Sequence, residues 1–170
     1  MKKLKKGERG FSLIELLIVI ALTGIITAAI TMTVFQVFNM NTRTSNRMAA
    51  VSQVQNAGKI VSEDILEAQP ASINVTPLGV RFLHLGWTAQ NGTVYAVNYT
   101  LESMPSGTFK ILWRKHYADS VLDSTTKVAE YIAAGTSCIW VGDSLKFTVT
   151  ATVGNETETR VYEVRPRPGS

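Results

Sequence analysis

With 170 residues, the chain has room for one modest domain beside one membrane-length helix. Its net charge of +4 sits in the first ten residues, where Lys2, Lys3, Lys5, Lys6 and Arg9 face Glu8; residues 11–170 hold 12 cations and 12 anions. That balance removes the clustered basic footprint of a nucleic-acid binder, and a single cysteine, Cys138, excludes an intrachain disulfide and a cysteine-based zinc site.

Residues 1–10 form a basic leader ending in Gly10. Residues 11–38 follow as an apolar run, and about 20 such residues suffice to cross a bilayer as a helix. A secretory signal has a shorter apolar core with a small-residue cleavage site after it. The nearest candidate, Ile26-Thr27-Ala28-Ala29, lies inside the run. The lysines stay cytoplasmic by the positive-inside rule, so the bulk of the chain is expected beyond the membrane.

Glu15 is the one ionisable side chain of this run, and a carboxylate in a membrane-length segment reads as functional. It also completes Ser12-Leu13-Ile14-Glu15, the S-x-x-E pattern of a capping box, and the helix macrodipole favours an acid there. Further along, Gly24 and Ala28 form a small-xxx-small pair for close helix approach. Thr23, Thr27 and Thr31 recur at helical spacing, and their hydroxyls can bond the preceding turn.

The helical pattern continues through 39–69. Met48, Val51, Val54, Ala57, Val61, Ile65 and Ala68 recur in steps of three and four, which predicts one buried face. Pro70 ends the pattern. Read as one piece, 12–69 spans roughly 85–90 Å at 1.5 Å per residue.

From 70 to 164 the composition turns to β. Strands are predicted at 80–85, 93–102, 108–117, 128–132, 137–141, 145–153 and 159–164, with turns at Asn91-Gly92, Pro105-Ser106-Gly107 and Gly154-Asn155. Short turns favour antiparallel pairing. Leu145, Phe147, Val149, Ala151 and Val153 alternate to cover one face, with the amphipathic half of the helix available to bury it. The polar stretch 118–127 reads as a loop or short helix, and 165–170 as a fraying tail. The expected fold class is therefore α+β, a long helix on an antiparallel β domain.

Residues Gly10-Phe11-Ser12-Leu13-Ile14-Glu15, behind a basic leader and ahead of an apolar helix, resemble the N-terminal signal of type IV pilins and type II secretion pseudopilins. The resemblance implies cleavage between Gly10 and Phe11 by a prepilin peptidase, N-methylation of Phe11, and pairing of Glu15 with the N-terminal amine of a neighbouring subunit. It implies an inner-membrane protein that later enters a filament. Its partners would be the peptidase, other subunits and the membrane, with no nucleic acid, small-molecule substrate, cofactor or metal. Residues 62–69 resemble the helix end of J-type minor pseudopilins. An apolar helix without proline and a chain with one cysteine shift the resemblance from major pilin to minor pilin or pseudopilin. A membrane-tethered domain that never polymerises, and a DNA-uptake pilus component, are the alternatives.

Several motifs carry weaker readings. Gly142-Asp143-Ser144-Leu145 matches the block that names the GDSL hydrolases, but His84 and His116 both precede the serine. A serine nucleophile needs a base within reach, so no enzyme is expected and the block reads as a turn. Both histidines read as surface or half-buried. Asn74, Asn91, Asn98 and Asn155 each begin N-x-T, which leaves glycosylation open. Asp119, Asp123, Glu156 and Glu158 would need loops to gather them around calcium. Trp87, Tyr95, Tyr99, Trp113, Tyr131 and Trp140 read as sheet core, and Cys138 as a small buried strand residue.

Overall fold

The computed structural model describes residues 12–76, 81–105, 107 and 109–167. The chain divides into two compact units, Met1–Thr42 and Arg43–Ser170. One helix, α1, covers Leu13–Glu67 and so runs through both. Within the first unit its described part is α-helix from Leu13 onward, with the apolar side chains exposed.

The second unit is α+β. A single 3-10 turn, Pro70–Ser72, follows the helix, and eight strands come after it among the described residues. They are β1 Asn74–Val75, β2 Arg81–Thr88, β3 Val94–Ser103, β4 Lys110–Ala118, β5 Val121–Ile132, β6 Ser137–Val141, β7 Ser144–Val153 and β8 Glu156–Val164. All pairings are antiparallel, in the order β1-β2-β3-β4-β5-β7-β6, with β8 on β7. The turns explain the order. Gly142 and Gly154 take positive φ (59° and 57°) at the β6–β7 and β7–β8 turns, the conformation that glycine adopts without a Cβ clash.

The buried face of α1 in this unit is Ala50, Val54, Ala57, Val61, Ile65 and, just past its end, Ala68. It meets Leu83, Leu85, Val97, Tyr99, Leu112, Leu145, Phe147, Val149 and Ala151 from the sheet. The expected alternation of β7 is present, and Cys138 is buried in β6. Gln69 donates its N–H to Gly86 O (2.9 Å), which ties the helix end to β2.

The structure departs from the sequence reading at several places. Met48 is 68% exposed, and Ala50 opens the buried face instead. Met48 lies two residues before Ala50, about 200° around the helix, so both cannot face the sheet. The polar stretch 118–127 is no loop or helix: a turn at Asp119 and Ser120 (φ 47° and 67°) leads into the first half of β5. Asp119 tolerates that turn because it is anchored, its N–H donating to Val94 O (2.8 Å) and its Oδ1 accepting from Val94 N (3.0 Å). Residues 121–127 are all exposed, so their strand carries no apolar alternation to read. For the same reason β8 begins at Glu156 rather than 159, within its polar run, while β2 extends to Thr88 rather than 85.

The expected aromatic core is also narrower. Of the six aromatics only Tyr99 is fully buried. Trp87, Tyr95 and Trp113 are half-buried, and Tyr131 and Trp140 are 36% and 40% exposed. Tyr131 sits at a register break of β5 with φ 58°, which turns its ring out of the regular alternation.

Candidate functional site

Gly10 and Phe11 lie outside the described residues. The site is built from Ser12 onward, at the head of α1. Ser12 Oγ accepts from Ile14 N (3.3 Å), and Glu15 Oε2 accepts from Ser12 N (3.2 Å). The two side chains thus satisfy orphan donors of the first turn reciprocally, as a capping box does. Glu15 Oε1 has no hydrogen-bond partner among the described residues.

Behind this cap, Glu15 is the only charged side chain from Ser12 to Thr42. The helix around it presents Leu13, Ile14, Leu16, Leu17 and Ile18 to the exterior at half or more of their full area, and their apolar successors are exposed as well. Among the described residues α1 is the one helix long and apolar enough to cross a membrane. Thr23, Thr27, Thr31 and Thr33 donate their hydroxyls to Val19, Thr23, Thr27 and Ala29 carbonyls at 2.6–2.9 Å. Their polar groups are therefore satisfied without water or a partner. Thr23, Gly24, Thr27, Ala28 and Thr31 line a shallow open groove on one face. A Cβ built on Gly24 would meet nothing within 4 Å. Among the described residues no contact requires glycine at this position.

In the second unit the charged groups hold the fold. Asp64 lies on the buried face of α1 and receives Arg114 through two bonds, Nε to Oδ2 (2.7 Å) and Nη2 to Oδ1 (2.9 Å). Tyr99 donates its hydroxyl to the same Oδ2 (2.5 Å). Burial first, then the Asp64 charge and hydrogen bond, hold the Tyr99 phenol well above the usual tyrosine range. The hydrogen bond to Asp64 raises Arg114 further still. The arrangement is a bidentate ion pair with one added donor, a staple between helix and sheet. Sequence reading did not single out Asp64, yet its spacing between Val61 and Ile65 places it on the apolar face.

Two helix amides do related work. Glu130 N donates to Gln53 Oε1 (2.8 Å), and Asn56 Nδ2 donates to Val128 O. Val128 and Glu130 lie where β5 breaks register with β4, and these two bonds tie the irregular stretch to the helix. Sequence reading assigned neither amide, because a bulge leaves no signature in composition.

The chemically suggestive motifs are dispersed. Ser144 begins β7 directly after the Gly142–Asp143 turn, as the turn reading predicts, and neither histidine is hydrogen-bonded to it. His84 Nδ1 pairs with Asn98 Oδ1 (2.6 Å), and His116 Nδ1 with Asp123 Oδ2 (3.0 Å). Both rings are half-buried. Asp119 is engaged with Val94, Asp123 with His116, Glu156 with Arg43 and Glu158 with Arg160. Among the described residues no three metal-ligating side chains converge. Burial pushes the Cys138 thiol up to about 12, which keeps it protonated and unreactive.

Comparison with known families matches residues 5–31 to the prokaryotic N-terminal methylation motif, the signature of type IV pilins and pseudopilins. Searches against curated proteins and solved structures returned no match. The matched stretch contains the leader junction, the capping box and the helix face through Thr31. It indicates a pilin-like or pseudopilin subunit, a structural class of protein.

Proposed function

We propose that the chain is a minor pseudopilin or minor pilin, a structural subunit of a type II secretion or type IV pilus-like filament. One observation carries the reading: the methylation motif at 5–31 opens a helix whose exposed apolar surface holds a single charge, Glu15. In this reading a prepilin peptidase cuts between Gly10 and Phe11 on the cytoplasmic side, and Phe11 is N-methylated. The new α-amino group, with an ordinary pKa near 7.7–8.0, is largely cationic at neutral pH. It pairs with Glu15 of the adjacent subunit. A carboxylate deep in the bilayer costs roughly 2.5–3.5 kcal/mol, which such a pairing offsets.

The capping box does not compete with this role. It uses Glu15 Oε2 on the chain's own Ser12 and leaves Oε1 for a neighbour. Before assembly it lowers the cost of holding the carboxylate in an apolar setting, since one of its oxygens is already bonded. The apolar part of α1 anchors the precursor as a single pass and later packs in the filament, with Gly24 and Ala28 at a helix–helix contact. The β-rich domain, on the far side of the membrane from the lysines, sets the subunit's position or partner.

The test uses two variants in the native host. Gly10→Ala should leave the precursor uncut. Glu15→Ala should be cut and then assemble poorly. Mass spectrometry of the native N-terminus should find methylated Phe11; an intact leader beginning at Met1 in a chain that never polymerises would replace this reading with that of a tethered binding domain.

A further inference from the structure

Beyond its apolar run α1 stays free of acid for most of its length. Between Glu15 and Glu63 the helix holds no carboxylate, and its only charges are Arg43, Arg47 and Lys59. Arg43 and Arg47 are spaced i,i+4, so they stand on one side of the helix, where like charges repel. An anion held between them removes that repulsion.

The groups around the pair are donors. Arg43 Nε donates to Glu156 Oε1 (3.1 Å), yet its side chain stays 78% exposed and both Nη groups are unbonded among the described residues. Arg47 is exposed and has no ion pair or hydrogen bond among the described residues. Thr44 lies beside them, three residues before Arg47. Five of the six threonines of α1 donate to the carbonyl four residues back. Thr44 is the sixth, and its hydroxyl is unbonded among the described residues. Arg47 and Thr44 open a groove of about 420 Å³, continued by Met48, Val51, Ser52 and Gln55. Its polar groups are guanidinium, hydroxyl and amide, all able to donate, with no acid among them.

Position along the chain identifies the anion. Arg43 and Arg47 follow Phe38, the end of the apolar run, by five and nine residues, about 7 and 13 Å of helix rise. Helical side chains lean back toward the N-terminus, and a long arginine stem lets its head seek the polar layer. The headgroup layer of a bilayer extends roughly 5–8 Å beyond the hydrocarbon. A guanidinium carried back from these positions falls at the level of lipid phosphates, which fit the arginine fork bidentately.

We propose that Arg43 and Arg47, with Thr44 as an added donor, hold the phosphate of an anionic phospholipid in the leaflet beside the β-rich domain. Arg43 then joins two anions, Glu156 through Nε and the lipid through its Nη groups, and so ties the β7–β8 turn to the membrane surface. The inference rests on the single-pass anchor reading and makes no use of filament assembly.

The experiment reconstitutes the full-length chain in vesicles of phosphatidylglycerol and phosphatidylcholine in equal parts. The protein is then extracted gently in detergent and its retained lipid counted by native mass spectrometry. The unsubstituted chain should retain phosphatidylglycerol several-fold over phosphatidylcholine. Arg47→Gln, which breaks no bond among the described residues, should lose most of that preference. The double variant Arg43→Gln with Arg47→Gln should lose all of it, and Lys59→Gln should keep it. Equal retention by the unsubstituted chain and the double variant would overturn the proposal, as would a loss in Lys59→Gln equal to that of the double variant. Displacement of the lipid by millimolar inorganic phosphate would overturn it in favour of a free anion. A lipid-free dimer abolished by the double variant would overturn it in favour of an acid on a second copy. Release of the unsubstituted chain from vesicles by alkaline carbonate would remove the anchor reading and the proposal together, whereas a chain that resists carbonate but shows no lipid preference removes the proposal alone.

Discussion

The ring of Tyr162 lies over Gly58 of α1, in the space where any other residue would carry its Cβ. The Tyr162 hydroxyl then donates to Val54 O (3.2 Å), one turn earlier. The only glycine between residues 39 and 69 is therefore a contact point between helix and sheet. Gly58→Ala should be destabilising even though alanine is the better helix former by about 1 kcal/mol. Over-packing of this kind costs roughly 1–3 kcal/mol. Thermal unfolding should show a lowered Tm, and the same substitution in a Tyr162→Ala background should be neutral or stabilising. A similar loss in both backgrounds would place the cost elsewhere.

The Asp64–Arg114 staple has its own asymmetry. Removing one partner strands a charge with little solvent, since the side chains are 10% and 21% exposed. Arg114→Ala should cost about 3–5 kcal/mol, while replacing both by leucine should cost much less. Tyr99→Phe removes one bond to a charged acceptor and should cost about 1.5–3 kcal/mol. Denaturant unfolding of the three variants separates these values.

Cys138 gives a pH dependence with a defined sign. Its thiol is raised from an ordinary 9.0 to about 12 in the folded protein, because burial disfavours the thiolate. Below pH 9 both folded and unfolded chains keep the proton, and the contribution is complete. Between pH 9 and 12 the unfolded chain loses it first, so stability falls with a slope of at most about 1.4 kcal/mol per pH unit. Cys138→Ala should flatten that slope where it begins, below the tyrosine range. Alkylation at pH 8 should label the thiol only after unfolding.

Gly24 and Ser12 separate folding from assembly. A Cβ at position 24 meets nothing among the described residues, so the Gly24→Leu precursor should insert and be trimmed normally. Assembly should fail if this face packs against another helix, and electron microscopy of filaments reads that outcome directly. Ser12→Ala removes an N-cap worth about 0.5–2 kcal/mol and should loosen the first turn without abolishing trimming.

Much of this protein was legible in the chain itself. The helix from Leu13 to Glu67, the alternation of β7, the capping box and the burial of Cys138 all follow from local periodicity, local spacing or side-chain size. The methylation motif is a contiguous string, so its recognition needs no fold at all. What the tertiary structure decided is of another kind. Whether Met48 or Ala50 begins the buried face depends on where the sheet ends against the helix. That residues 121–127 form a strand depends on β4 and the anchored turn at Asp119, since exposure on both faces erases any pattern. The pairings of Asp64 with Arg114, Gln53 with Glu130 and Gly58 with Tyr162 join residues 50, 77 and 104 positions apart. Short-range forces write their signature into neighbouring residues, whereas these contacts exist only after the chain has closed on itself.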